Sequence, residues 1–146
     1  MEVQATWKRN YQVEVKAREF IVPIDEAREF HGDDTGMMPT ELFLGSLASC
    51  FCLALVFVAR KKRFEVKDMR VNVKGEKDLK NSIFLRLIVE VDSSLPSETL
   101  QGIIPIARKY CFVSNTVSKS CPIEYVHKDS GGRIQNTEER KNTSDS

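Results

Sequence analysis

Histidine is scarce in this chain, and neither sign of charge prevails. Two histidines, 22 basic and 21 acidic residues leave 146 residues with a formal net charge of +1. That balance supplies no electrostatic argument for nucleic acid or for an anionic membrane surface. Several local signatures are missing too. There is no CxxC or HExxH spacing, and structural zinc sites draw on such closely spaced ligands. No GxGxxG and no P-loop lysine is available to cradle a phosphate, and Gly131 with Gly132 reads as a flexible link in a polar stretch. The opening MEVQATWKRN has no basic segment leading into an apolar one, so no signal peptide is expected. Without that sign of export, the four cysteines are expected to be reduced thiols of a cytoplasmic protein.

What the chain does have is one long apolar run. Leu42 to Ala59 is 18 residues without a charge, closed by Arg60, Lys61, Lys62 and Arg63. Its length lies at the lower edge of a membrane span with a positive flank. Gly45, Ser46, Ser49, Cys50 and Cys52 lower its hydrophobicity, and strand-like segments lie on both sides. A fully buried central helix has the same all-round apolar pattern. That is the reading adopted, with a membrane anchor as the alternative.

The flanking segments alternate. Val13 and Val15 interleave with Gln12, Glu14 and Lys16, and Phe20, Val22 and Ile24 form a second set, so residues 2–24 predict an antiparallel ribbon with turns at Asn10–Tyr11 and Ala17–Glu19. HGDDTGMM, His31 to Met38, is a loop of turn formers. Pro39 suits a first helical turn and Glu41 suits the positive end of the dipole, so a helix is predicted from Pro39 to about Lys62. Met69 to Lys74 and Ile83 to Val91 predict two strands joined by a connection over 75–81. Ser97 is the expected N-cap of a second helix reaching Tyr110, with Pro105 expected to kink or break it near Ile104. Cys121 to His127 is expected to close the fold as a short strand. The order predicts an α+β domain over residues 1–127 with antiparallel sheets and two main helices. Residues 128–146 are too polar to offset their ordering entropy and are expected to form a disordered tail.

The residues that could do chemistry are few: His31, Cys50, Cys52, Cys111, Cys121 and His127. On a helix, Cys50 and Cys52 point about 200° apart, so they cannot share one metal from a single face. The histidines read as surface or loop residues. A buried cysteine is most often a small core hydrophobe. A reactive one needs a cation or helix N-terminus nearby and a partner that resolves its oxidised form. Cys50 lies about three turns into its helix, too deep for the dipole alone.

Two stretches carry a family resemblance. PTELFLGSLASCF, Pro39 to Phe51, resembles the small-residue helix of the OsmC/Ohr thiol peroxidases, ending Ala-x-Cys-Phe. ARKYCFVS, Ala107 to Ser114, is similar to the family's second-helix cysteine motif, and the element order agrees over about residues 1–127. The resemblance implies an OsmC-like α+β fold, an intertwined homodimer, and two long helices packed at its centre. It implies reduction of organic, fatty-acid-type hydroperoxides with Cys50 as the peroxidatic and Cys111 as the resolving thiol. A dithiol reductant, a lipoylated protein in family members, would reset the pair, with no metal or organic cofactor. The family pattern also has a glutamate ten residues before the peroxidatic cysteine that helps to hold an arginine against the thiolate. Here Thr40 occupies that place and Glu41 lies nine before, about 100° around the helix. The arginine, usually after two glycines in the first hairpin, has its rough match in Arg9, with Arg18 and Arg28 as rivals. Phe112 stands where a proline usually follows the resolving cysteine. Cys52 is expected in core or dimer-interface packing, and Cys121 at a strand start. The departures keep open a second reading, an OsmC-fold protein that binds a small apolar ligand or partner without efficient turnover.

Overall fold

A computed structural model describes residues 1–119 and 121–136. Two compact units divide the chain, Met1–Asn115 and a second beginning at Thr116. The first opens with the expected ribbon: β1 (Gln4–Arg9), β2 (Gln12–Ala17) and β3 (Phe20–Ile24) pair antiparallel in that order. Asn10 and Arg18 take the left-handed conformation at the two turns, with φ of 44° and 55°. An asparagine tolerates that region, and the Trp7 indole N–H fixes the first turn by donating to the Asn10 carbonyl at 2.8 Å. The register sets Val13 opposite Ile24, and Ile24 bridges to Met37. The β1–β2 turn therefore lies at the end of the sheet nearest the start of the first helix, and the β2–β3 turn at the far end.

Helix α1 (Pro39–Lys61) has Pro39 at its first position, as expected. Among the described residues it is the one helix long and apolar enough to cross a membrane. In this fold it is the core helix: Leu47, Phe51, Ala54, Leu55, Val58 and Ala59 are buried together with Ile103 and Ala107 of α2 (Ser97–Tyr110). The steps of three and four between those α1 positions put them on one stripe. The hairpin of β4 (Arg70–Asp78) and β5 (Ile83–Asp92) adds Val71, Val73, Leu87 and Val91 to that core. Its outer face carries the cross-strand ion pairs Arg70–Asp92, Lys74–Glu90 and Arg86–Glu76. These pairs are exposed and add little stability. Leu53 and Phe57 of α1 stay 71% and 50% exposed in the single chain.

Several expectations need correction. The connection predicted over 75–81 is strand as far as Asp78, leaving Leu79–Ser82 as the turn. Gly75 reads as a turn former but pairs with Leu87, and the Phe84 ring lies where its Cβ would be, 2.6 Å from the nearest ring carbon. Pro96, not Ser97, caps α2. Pro105 does not break α2: it faces solvent, as does Gln101, whose carbonyl loses its partner and clashes least when it can tilt outward. A short helix, α3 (Phe112–Val117), follows α2 where no helix was foreseen.

In the second unit, Cys121–Tyr125 is irregular and Cys121 is exposed, so it does not start a strand. A small antiparallel hairpin, β6 (Val126–Lys128) and β7 (Ile134–Asn136), straddles the expected boundary at 127/128. Asp129 closes its turn by accepting the N–H groups of Gly131 and Arg133. The rest of the expected tail, 137–146, lies outside the described residues.

Candidate thiol site

Cys111 is the last member of a stripe on α2. Ile103, Ala107 and Cys111 step by four, and all three are buried in the core with α1. Cys50, partly buried, packs against that same cluster from α1, three residues after Leu47 and one before Phe51. The structure therefore brings the two motif cysteines to one core. Cys111 also ends α2: its backbone leaves helical geometry at φ −83° and ψ 101°, and its carbonyl accepts the Asn115 N–H that opens α3. Its sulfur accepts the Ser114 N–H at 3.5 Å. Phe112 is thus the first residue of α3, and a new helix makes the turn where the family pattern has proline.

Cys52 points elsewhere. Its Sγ lies 3.8 Å from the Met69 carbonyl, on the β4 side of α1, as helical geometry requires of a residue two positions from Cys50. All four cysteines are free thiols.

Glu41 stands at the third position of α1, and its Oε2 accepts the Met38 N–H at 2.8 Å. The carboxylate is engaged by the helix start itself. Of the three arginines, Arg18 lies at the far turn, 4.0 Å from Glu19 and with its guanidinium 4.9 Å from the Phe20 ring centre. Arg28 sits in a single 3-10 turn, Arg28–Phe30. Arg9 lies at the near turn and donates from Nε to Gln12 Oε1 at 3.4 Å.

The loop between β3 and α1 is built around a residue that sequence periodicity did not mark. Asp25 is fully buried and accepts four hydrogen bonds, from the Glu26, Asp33 and Thr35 N–H groups and the Thr35 hydroxyl. Burial pushes its carboxyl up, but the Thr35 hydroxyl and the three N–H groups outweigh burial and hold it below the ordinary 3.8. Gly32 and Gly36 let the loop close: a Cβ at either would fall 1.8 Å from the Glu26 oxygen or 2.4 Å from the Pro23 oxygen. His31, expected on the surface, is exposed at this loop with φ 70°. The HGDDTG composition signalled a loop, yet nothing in it distinguishes Asp25 as the anchor.

Between the inner face of the β1–β3 sheet and the first turns of α1 runs an open apolar groove of about 470 Å³. Val13, Val15 and Ile24 line it from the sheet, and Leu42, Phe43 and Ser46 from the helix. Ser46 is one turn before Cys50, so the groove leads toward the face that carries the thiol.

Three antiparallel strands, a two-stranded hairpin, a buried central helix and a second helix ending at a thiol define an α+β domain whose core contains Cys111 and has Cys50 packed against it. The family model described as OsmC-like protein matches residues 32–126, and the chain belongs to that family. An uncharacterized protein of Methanocaldococcus jannaschii is 28% identical over 90 residues, 59% of this chain, and the match spans 46% of that relative's length. A hypothetical protein from Aquifex aeolicus superposes with a TM-score of 0.69 at 24% identity, over 80% of this chain and 86% of that one. A putative organic hydroperoxide resistance protein from Vibrio cholerae, with captopril bound in one of its active sites, gives 0.63 at 23% identity, over 80% and 84%. At such identities the solved structures establish the fold.

Proposed function

We propose that this protein reduces organic, fatty-acid-type hydroperoxides, with Cys50 as the peroxidatic and Cys111 as the resolving thiol. The observation that carries this reading is the packing of both thiols into one α1–α2 core. The Cys50 thiolate attacks the terminal peroxide oxygen and the O–O bond breaks. Two electrons pass from sulfur to oxygen, the alkoxide leaves with a proton as the alcohol, and Cys50 is left as a sulfenic acid. The Cys111 thiol then attacks that sulfur, forming a disulfide and releasing water. A dithiol reductant, such as a lipoylated protein, returns both cysteines to thiols by exchange. The scheme needs no metal or organic cofactor. Arg9 is the cation assigned to the thiolate, because its turn is the one tied to the loop leading into α1. Glu41 is assigned to the helix start.

The functional unit assigned is an intertwined homodimer. Leu53 and Phe57 on α1 and the apolar groove under the sheet are open in one chain, and a second copy would cover both. The four free thiols fit a reducing cytoplasm. With cumene hydroperoxide and a dithiol, the wild type should consume peroxide and Cys50→Ser should not; equal rates would sink the assignment. The groove and the engagement of Glu41 favour one second reading, a protein that binds a small apolar ligand without efficient turnover. Intact mass after peroxide treatment separates the two. Rapid loss of two hydrogens, mapping to Cys50 and Cys111, counts against binding alone.

A further inference from the structure

The β1–β2 turn is held by more side-chain hydrogen bonds than a two-residue turn requires. Beyond the Trp7 indole bond, Asn10 Nδ2 donates to the His31 carbonyl and to Asp33 Oδ2, both at 3.3 Å. Gln12 Nε2 donates to the same Asp33 oxygen at 3.0 Å, and Arg9 Nε donates to Gln12 Oε1. Behind Asp33 stands Asp25, which accepts the Asp33 N–H at 3.2 Å from a fully buried position. Holding exposed side chains in one geometry costs rotamer entropy, so such a network marks a turn whose shape matters.

We propose that Gln12 and Asp33 are positioning residues for Arg9. A carboxylate accepts only and a guanidinium donates only. Between them, a single orientation of the Gln12 amide satisfies both neighbours, with its NH2 toward Asp33 and its oxygen toward Arg9. Asp33 thereby sets the direction of the acceptor that holds the guanidinium, and Asp25 sets the place of Asp33. This rests on the reading that Arg9 activates Cys50. It supplies the holding group that Glu41, engaged by the Met38 N–H, does not.

The test is the rate of Cys50 oxidation by cumene hydroperoxide at pH 7, in single-turnover reactions of the full chain followed on the Cys50 peptide by mass spectrometry. A cation beside the attacking sulfur stabilises the negative charge it carries into the reaction, so Arg9→Ala should slow the reaction by about tenfold. Gln12 is half-buried and Asp33 exposed; with each variant's urea midpoint checked against wild type, Gln12→Ala and Asp33→Ala should each slow it about threefold to tenfold. Combined with Arg9→Ala, neither should slow it further. Asp33→Asn keeps an oxygen that can accept from Gln12 and should restore most of the rate. Wild-type rates in Gln12→Ala and Asp33→Ala, with Arg9→Ala slow, overturn the relay and leave the arginine assignment standing. Losses that multiply with that of Arg9→Ala also overturn it. An unchanged rate in Arg9→Ala overturns the arginine assignment and the relay together.

Discussion

Replacing Glu41 by alanine separates two roles for that carboxylate by their magnitudes. In the structure its Oε2 accepts the Met38 N–H at 2.8 Å, and Pro39, with no N–H of its own, occupies the next position. Met38 contributes no side-chain hydrogen bond as N-cap, so Glu41 is the side chain that completes the start of a 23-residue helix. Loss of an N-terminal cap costs about 0.5–2 kcal/mol, and loss of a carboxylate from the positive end of the dipole about 0.3–1 kcal/mol. The two overlap at one atom, so the expected destabilisation is about 1–2 kcal/mol. With a urea slope of about 2 kcal/mol per molar, the midpoint should fall by roughly 0.5–1 M. Single-turnover oxidation of Cys50, measured in buffer where the variant is folded, should stay within about threefold of wild type, since each 1.4 kcal/mol of lost transition-state stabilisation is about tenfold in rate. Glu41→Gln, which retains an acceptor oxygen without the charge, should recover part of the midpoint. A hundredfold loss of the Cys50 rate with an unmoved urea midpoint would refute the reasoning and return Glu41 to the thiol.

Two further outcomes follow from buried groups. Asp25 is held below its ordinary 3.8 although burial opposes this, because the Thr35 hydroxyl and three N–H groups favour the charged form. As pH falls the unfolded chain takes up this proton first, so the carboxylate's stabilisation is full above about pH 5 and is lost as pH falls through the folded-state value. The stability difference between wild type and Asp25→Asn, measured by urea titration, should therefore be constant above about pH 5 and shrink from there toward about pH 3; a difference that stays constant over that range would exclude the carboxylate as its source. Leu55 is fully buried on α1, and Leu55→Ala should cost about 3–5 kcal/mol by opening a cavity in the core that holds both thiols. A urea-derived loss under about 1 kcal/mol would mean that α1 and α2 do not pack tightly there.

Local periodicity carried most of the fold. The alternations at Val13–Val15 and Val71–Val73 and the uncharged run bounded by Pro39 and Lys61 mark elements whose pattern is set by neighbours two to four residues away. Local cues misled where a distant contact decides. Gly75 sits in mid-strand because the Phe84 ring covers it, and Pro105 is tolerated because its turn of α2 faces solvent. The candidate site shows the same division. Steps of four place Ile103, Ala107 and Cys111 on one stripe, but which stripe of α1 meets it is a tertiary fact. Helical spacing and the motif already set Cys50 apart from Cys52; their surroundings, the α1–α2 core for one and the Met69 carbonyl for the other, are tertiary facts. The chain Arg9–Gln12–Asp33–Asp25 has no local signature, since Gln12 and Asp33 meet across 21 residues. On the proposed relay, the cation assigned to Cys50 would be set by a loop whose anchor, Asp25, bonds to neither Arg9 nor Cys50, and substitutions in that loop would change thiol reactivity without altering the helix that bears the thiol.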